Sequence, residues 1–283
     1  MKRIFMLMAA IMVAGAGIAQ TDSTTQQADT IKVGKFIIIK KSKRGSNAPG
    51  NDGSTTVEIT RRPVQKPGSI TTNWWIFDLG FANLRDETNY GSAAANSYLR
   101  TIRAGEATFT KDDLKLRAGK TSNVNLWIFM QQLNVTKGVL NLKYGLGLEM
   151  YNFRYENNIS YNKNPAYIFR DSVDFSKNKL YAGYLTVPFM VNLHTHPGQK
   201  KGLSLSAGVS AGYLVGSRNK QISNERGKTK TKGDFDLEQF RLAYIGELGL
   251  GPVRLFGSYS INPLHEKGLN QYPYSVGIRF SNF

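Results

Sequence analysis

Between residues 180 and 216, two long runs alternate apolar and polar residues in strict period two. In the first, LYAGYLTVPFMVNLH, the odd positions Tyr181, Leu185, Val187, Phe189, Val191 and Leu193 are apolar. In the second, Leu203, Leu205, Ala207, Val209, Ala211, Tyr213 and Val215 alternate with Ser204, Ser206, Gly208, Ser210, Gly212 and Gly216. Period two is the signature of a strand with one greasy and one polar face. Each arm is longer than the roughly 5–6 residues of an ordinary soluble strand and exceeds the roughly 9–11 tilted residues that cross a bilayer. The polar face is mostly Gly and Ser, which suits a crowded, curved interior. The pair predicts a hairpin of a transmembrane β-barrel.

The same pattern recurs along the chain. NWWIFDLGFA puts Trp75, Phe77, Leu79 and Phe81 on one face and Asp78 and Gly80 on the other. SNVNLWIFMQQLNV is apolar on both faces between Leu126 and Met130, so its facing stays open. After a tight turn at Thr136–Gly138, Leu140, Leu142, Tyr144, Leu146, Leu148 and Met150 point one way, and Asn141, Lys143, Gly145, Gly147 and Glu149 the other. DLEQFRLAYIGELGLG, PVRLFGSYSIN and YPYSVGIRFSNF complete a predicted set of eight antiparallel strands. Long connections near 83–120, 156–178, 218–235 and 263–271 alternate with short ones, as in outer-membrane barrels with external loops and periplasmic turns. With that topology Phe81, Tyr151, Phe153, Tyr181, Tyr213, Phe240, Tyr259, Tyr272 and Tyr274 fall at the outer strand ends, where an aromatic girdle belongs. A soluble β-sandwich is the competing reading; it would turn the same apolar face inward.

The opening MKRIFMLMAAIMVAGAGIAQ has a basic start, an apolar run and small residues at Gly17-Ile18-Ala19. It reads as a secretory signal over 1–19. Residues 20–70 read as a basic periplasmic extension, with IKVGKFIIIKK and STTVEITRR as short strands. A plain tail, a small hairpin that engages a partner, and a strand pair extending the barrel all remain open for it. Residues 71–283 form the predicted barrel. The chain has no cysteine, which removes disulfides, thiolate metal sites and a lipoprotein anchor. Its formal charge is +17. In an exported chain the expected counter-charges are anionic lipid headgroups, phosphorylated lipopolysaccharide and acidic glycans, and nucleic acid is not expected.

Several segments taken in order resemble a known group: DTIKVGKFIII, NWWIFDLGFANL, KTSNVNLWI, LKYGLGLEMYNFRY, NKLYAGYLTVPFMVNL, SAGVSAGYLVGSRNK and LFGSYSINPLHEKGLNQYPYSVGIRF. The chain is similar, from about residue 29 to its end, to the PorT-like outer-membrane β-barrel proteins of Bacteroidetes. The YLTVPF strand and the final YPYSVGIRF carry most of the resemblance. It implies an eight-stranded barrel in the cell outer membrane. One branch of that group serves a secretion apparatus, but most members have no assigned activity, so that role is not carried over, and a periplasmic or secretion-machinery protein stays open as a partner. At the end of the chain, Val276, Ile278 and Phe280 are out of phase with Phe283, so Phe280 is expected to close the last strand.

Eight strands enclose a space that side chains just fill. Asp78, Lys143, Glu149, Arg241, Glu247, Arg254 and Arg279 all fall on the inward face, and Glu247 approaches Arg254 across the Gly251-Pro252 turn. A buried charge needs a partner, so a structural ionic plug is expected, with a narrow ion or proton path as the alternative. Arg218, Lys220, Arg226, Lys228, Lys230 and Lys232 form a basic external loop suited to the phosphates of an anionic glycolipid. His265, with Ser260 and Glu266 nearby in sequence, is the one grouping that would support a lipid-modifying or proteolytic barrel enzyme, but no specific catalytic motif surrounds it. His194 and His196 share a strand face without an evident third ligand. The expectation is a non-enzymatic structural or interaction protein with no cofactor, no metal and no catalytic residue.

Overall fold

The computed structural model describes residues 29–33, 36–42, 55–61, 70–136, 138–195, 202–250 and 253–281. The chain divides into two compact units, 1–64 and 65–283. In the first, β1 (Asp29–Val33), β2 (Phe36–Ser42) and β3 (Thr55–Arg61) form an antiparallel sheet in the order β1-β2-β3. The run IKVGKFIIIKK, expected as one strand, is itself a hairpin, because Val33 pairs with Phe36. The expected signal segment lies outside the described residues.

The second unit is a ring of eight antiparallel strands. They are β4 (Ile70–Asp86), β5 (Ser122–Thr136), β6 (Leu140–Arg154), β9 (Phe175–His194), β10 (Leu203–Ser223), β12 (Phe240–Leu250), β13 (Val253–Ser260) and β14 (Gln271–Phe280). Each pairs with the next, β14 pairs with β4, and β9 pairs with β10, so no edge is left open. Closure matters because an exposed strand edge carries unpaired N–H and C=O groups that hydrocarbon cannot satisfy. Phe280 is the last residue of β14 and pairs with Phe77, as the phase of Val276 and Ile278 requires.

The apolar face points out. Leu205, Val209 and Tyr213 are 53%, 48% and 48% exposed, while Ser206 and Ser210 are 1% and 2% exposed. A sandwich would show the reverse, and the outward band of Leu, Val and Phe matches a hydrocarbon layer rather than water. Seven of the nine expected girdle aromatics face outward. Tyr151 and Phe153 do not: they are buried and point into the mouth of the barrel, because they sit in phase with Glu149. At the opposite end Trp74 and Trp75 are both exposed.

Two irregularities account for the ambiguous stretches of sequence. In β5, Trp127 pairs with Gly147 and Phe129 with Leu146, so Ile128 is an extra residue. This bulge lets Trp127 and Met130 both face inward while Ile128 and Phe129 face outward. In β10, Leu214 pairs with Tyr184 and Gly216 with Gly183, leaving Val215 as the extra residue. Beyond it the phase inverts: Asn219, Gln221 and Ser223 are buried, and Arg218, Lys220 and Ile222 turn outward.

The strands differ in length by more than twofold. β9 and β10 have 20 and 21 residues, β13 only 8. Since about 9–11 residues cross a bilayer, the outer halves of β9 and β10 stand above it. The connection at 218–235, expected as a loop, is instead the continuation of β10 paired with β11 (Gly227–Lys232). The other long connections fold over the mouth. They contain α1 (Ala93–Tyr98), capped by Ser92 Oγ accepting from Ala95 N, two 3-10 turns, and the hairpin of β7 (Ile159–Lys163) and β8 (Ala166–Arg170).

Candidate functional site

The seven charged residues expected in the lumen are all there, each no more than 5% exposed. Strand phase alone brings them in, since each lies on the face opposite the apolar band. They form two clusters. In the larger, Arg279 donates from Nε and Nη2 to the two oxygens of Asp78, both at 2.8 Å, and from Nη1 to Glu247 Oε2 at 2.7 Å. Glu247 Oε1 also accepts from Arg254 Nη1 at 2.8 Å and Lys143 Nζ at 2.9 Å. Asp78 Oδ2 further accepts from Trp127 Nε1 at 2.7 Å and Asn125 Nδ2 at 3.2 Å. The Arg279 guanidinium lies 5.3 Å from the Trp127 ring and 5.8 Å from the Phe256 ring.

The smaller cluster lies nearer the mouth. Arg241 Nη1 donates to Glu149 Oε2 at 2.5 Å, its Nε to Ser260 Oγ at 2.8 Å, and its guanidinium stacks 4.9 Å from the Tyr151 ring. Beside the larger cluster Ile76, Trp127, Met130 and Met190 pack as an apolar layer. A cavity of about 10 Å³ bordered by Asn125, Glu149 and Arg279 has room for about one water. An unpaired charge at this depth would cost several kcal/mol, so each side chain requires the others.

Above the lumen the connecting segments build an aromatic cap that alternation could not announce. Tyr98 on α1 donates its hydroxyl to Phe235 O at 2.5 Å, the Tyr155 and Tyr161 hydroxyls lie 2.5 Å apart, and the Tyr161 and Phe235 ring centroids are separated by 5.3 Å. Arg170 on β8 grips Asp113 through Nε and Nη2 at 2.7 and 2.9 Å, and that pair holds the Asp113 carboxyl below its usual range against the opposing pull of burial.

His265 belongs to this cap. Its ring is parallel to Tyr161 at 6.4 Å and tilted against Tyr98 at 5.4 Å, and neither nitrogen has a hydrogen-bond partner. Burial pushes the imidazole down to about 3, with Asp86 drawing it only partly back. Ser260 is engaged by Arg241, and Glu266 is exposed. Among the described residues no hydrogen bond joins the three residues of the sequence-proximal grouping to one another. His194 ends β9, and His196 lies outside the described residues.

The basic residues are distributed over a strand pair and its turn. Arg218 and Lys220 sit on β10, opposite Lys232 and Lys230 of β11, and Lys228 opposes Ile222. Arg226 occupies the turn and is committed elsewhere, donating from Nη1 and Nη2 to Asp171 at 2.9 and 3.1 Å.

No curated protein matches the chain. Residues 89–265 match the family model described as the outer membrane protein beta-barrel domain, which spans more than half of the 283 residues. With a closed ring of eight strands, an apolar outer face and an ion-paired interior already in place, this chain belongs to that outer-membrane β-barrel family and resides in the outer membrane.

Proposed function

We propose that this outer-membrane barrel is a non-enzymatic structural or interaction protein, an accessory to envelope assembly or protein secretion, of the PorT-like kind. The observation that carries this reading is the Arg279–Asp78–Glu247 network, which fills the lumen with mutually paired charges where a porin would keep water. The aromatic cap over the mouth supports it further, because a packed cap is a surface for contact and not a vestibule. Within this proposal the N-terminal unit engages a periplasmic or secretion-machinery partner, and the basic β10–β11 hairpin engages lipopolysaccharide. The placement of His265 between two tyrosine rings, with neither ring nitrogen hydrogen-bonded, supports a packing role for it over a catalytic one. Two experiments test the reading. Planar-bilayer recording of the purified protein should show no steady conductance. Crosslinked envelopes should yield a partner that co-purifies with the full chain and is lost when residues 20–70 are deleted. A steady ion current, or hydrolysis of lipid abolished by His265→Ala, would contradict it.

A further inference from the structure

The inverted phase of β10 beyond Val215 creates a feature that sequence position alone hides. Residues directly opposed on neighbouring strands share a face of the sheet. Lys220 is opposed by Lys179 on β9 and by Lys230 on β11, and Lys179 is opposed by Arg154 on β6. Four cations thus stand side by side across four strands in one row. Below it runs a second row in which Arg218 lies between Tyr181 and Lys232, and above it a third in which Ile222 lies between Lys177 and Lys228.

All three rows are on the outer wall, in phase with the lipid-facing residues of β9. Along that strand the outward positions read Leu193, Val191, Phe189, Val187 and Leu185, then Tyr181, and then Lys179 and Lys177. The apolar band ends at an aromatic residue and the cations begin two residues later, at the height where headgroup phosphates lie. Arg218 stacks its guanidinium 4.5 Å from the Tyr181 ring, which fixes it at that boundary.

Like charges directly opposed across strands are destabilising. Here they go uncompensated within the protein: among the described residues none of these cations is ion-paired to a carboxylate. Arg154 Nε and Arg218 Nε are buried and find no acceptor. The two polar contacts that do form, Lys179 Nζ to Asn152 Oδ1 at 2.6 Å and Arg154 Nη2 to Ser176 O at 2.9 Å, position the side chains without neutralising them.

From this we infer that the outer wall formed by β6, β9, β10 and β11 is a binding site for the phosphorylated headgroup of an outer-leaflet glycolipid, with the row Arg154, Lys179, Lys220 and Lys230 as its centre. The inference rests on the barrel reading above and refines its lipopolysaccharide contact from the β10–β11 hairpin to a wall of four strands. It adds Arg154, Lys177 and Lys179 and leaves out Arg226. Acyl chains lie along the Leu185–Leu193 band, and the phosphates meet guanidinium and ammonium groups in charge-assisted hydrogen bonds.

The test compares wild type with the triple variant Lys179→Gln, Lys220→Gln, Lys230→Gln, and with a control that removes three cations elsewhere, Lys111→Gln, Lys115→Gln, Lys267→Gln. Each full chain is reconstituted in phosphatidylcholine nanodiscs. Retention of bis-phosphorylated lipid A, of its dephosphorylated form and of inorganic pyrophosphate is read by native mass spectrometry. Heat-modifiability on gels verifies that each barrel is closed. Three charge contacts on the outer wall, individually modest, together make a roughly tenfold loss of lipid A retention in the triple variant. The control variant retains lipid A like wild type, and pyrophosphate alone is held weakly. Equal retention by wild type and triple variant, or equal retention of the dephosphorylated lipid, overturns the inference while leaving the plugged barrel standing. If the triple variant fails to close, the single variant Lys220→Gln is read in its place against Lys115→Gln. An open conductance would sink the plug and leave this wall untouched.

Discussion

Arg279 and Asp78 face each other across the β14–β4 seam as directly opposed residues, and their side chains meet in two contacts of 2.8 Å. The pair therefore closes the ring twice, once through backbone pairing and once through the lumen. Glu247 extends it by taking a third Arg279 nitrogen together with Arg254 and Lys143. The larger interior cluster is thus organised around two carboxylates that serve three cations.

This arrangement sets an order of sensitivities. Glu247 serves three cations and Glu149 one, so Glu247→Gln should destabilise the barrel more than Glu149→Gln. Removing one partner of a buried pair costs about 3–5 kcal/mol. Urea unfolding of the refolded protein in detergent, followed by tryptophan fluorescence, gives both values. Equal losses would mean that the network is not shared as drawn.

Crowding in the wall is equally specific. A Cβ placed on inward Gly145 would lie 2.5 Å from Phe129 O and 3.0 Å from Met130 Cγ, beside the β5 bulge. One placed on outward Gly246 meets nothing nearer than Ser206 O at 3.7 Å. Gly145→Val should therefore block heat-modifiable folding, and Gly246→Val should be tolerated. The gel shift on boiling reads both.

His265 makes the cap sensitive to acid. Its ordinary value is 6.5 and its folded value about 3, so between them the unfolded chain binds a proton that the folded cap refuses. Stability is full above about pH 6.5 and is lost progressively as pH falls toward about 3. His265→Leu removes that contribution without leaving a polar group unpaired. Near-ultraviolet circular dichroism of the cap tyrosines, followed from pH 7 to pH 4, should fall less in the variant than in wild type. Identical curves would show that the histidine is not the sensor.

The Val215 bulge can be tested by its deletion. Removing one residue restores the original phase, turning Asn219 and Gln221 outward and Arg218 and Lys220 in. Asn219 and Gln221 would then lose their contacts to Asn178 and Ser160 beneath the cap. Limited trypsin digestion should cut the connecting segments of the deletion faster than those of wild type.

What the sequence disclosed follows from how its signal is written. Alternation is local, so strands with long unbroken period two, β6, β9 and the first half of β10, could be placed and faced directly. Strand phase then carried Asp78, Arg254 and Arg279 into the lumen. Bulges at Ile128 and Val215 break the count by one residue, which made one strand ambiguous and hid the outward turn of Arg218 and Lys220. The cap was illegible because its contacts are distant in the chain: Tyr98 meets Phe235 across 137 positions. Tyr151 and Phe153 were misplaced to the girdle for a related reason, since aromatic type marks a strand end without specifying which face it is on.

The central claim is that the apolar face of the ring meets lipid and the small polar face meets the paired interior. With no native cysteine, single cysteines can be placed at will. A bimane label at residue 205 or 209 should be quenched by brominated lipid chains, whereas one at residue 206 or 210 should be protected or should prevent folding. Quenching at 206 and 210 with protection at 205 and 209 would contradict the account.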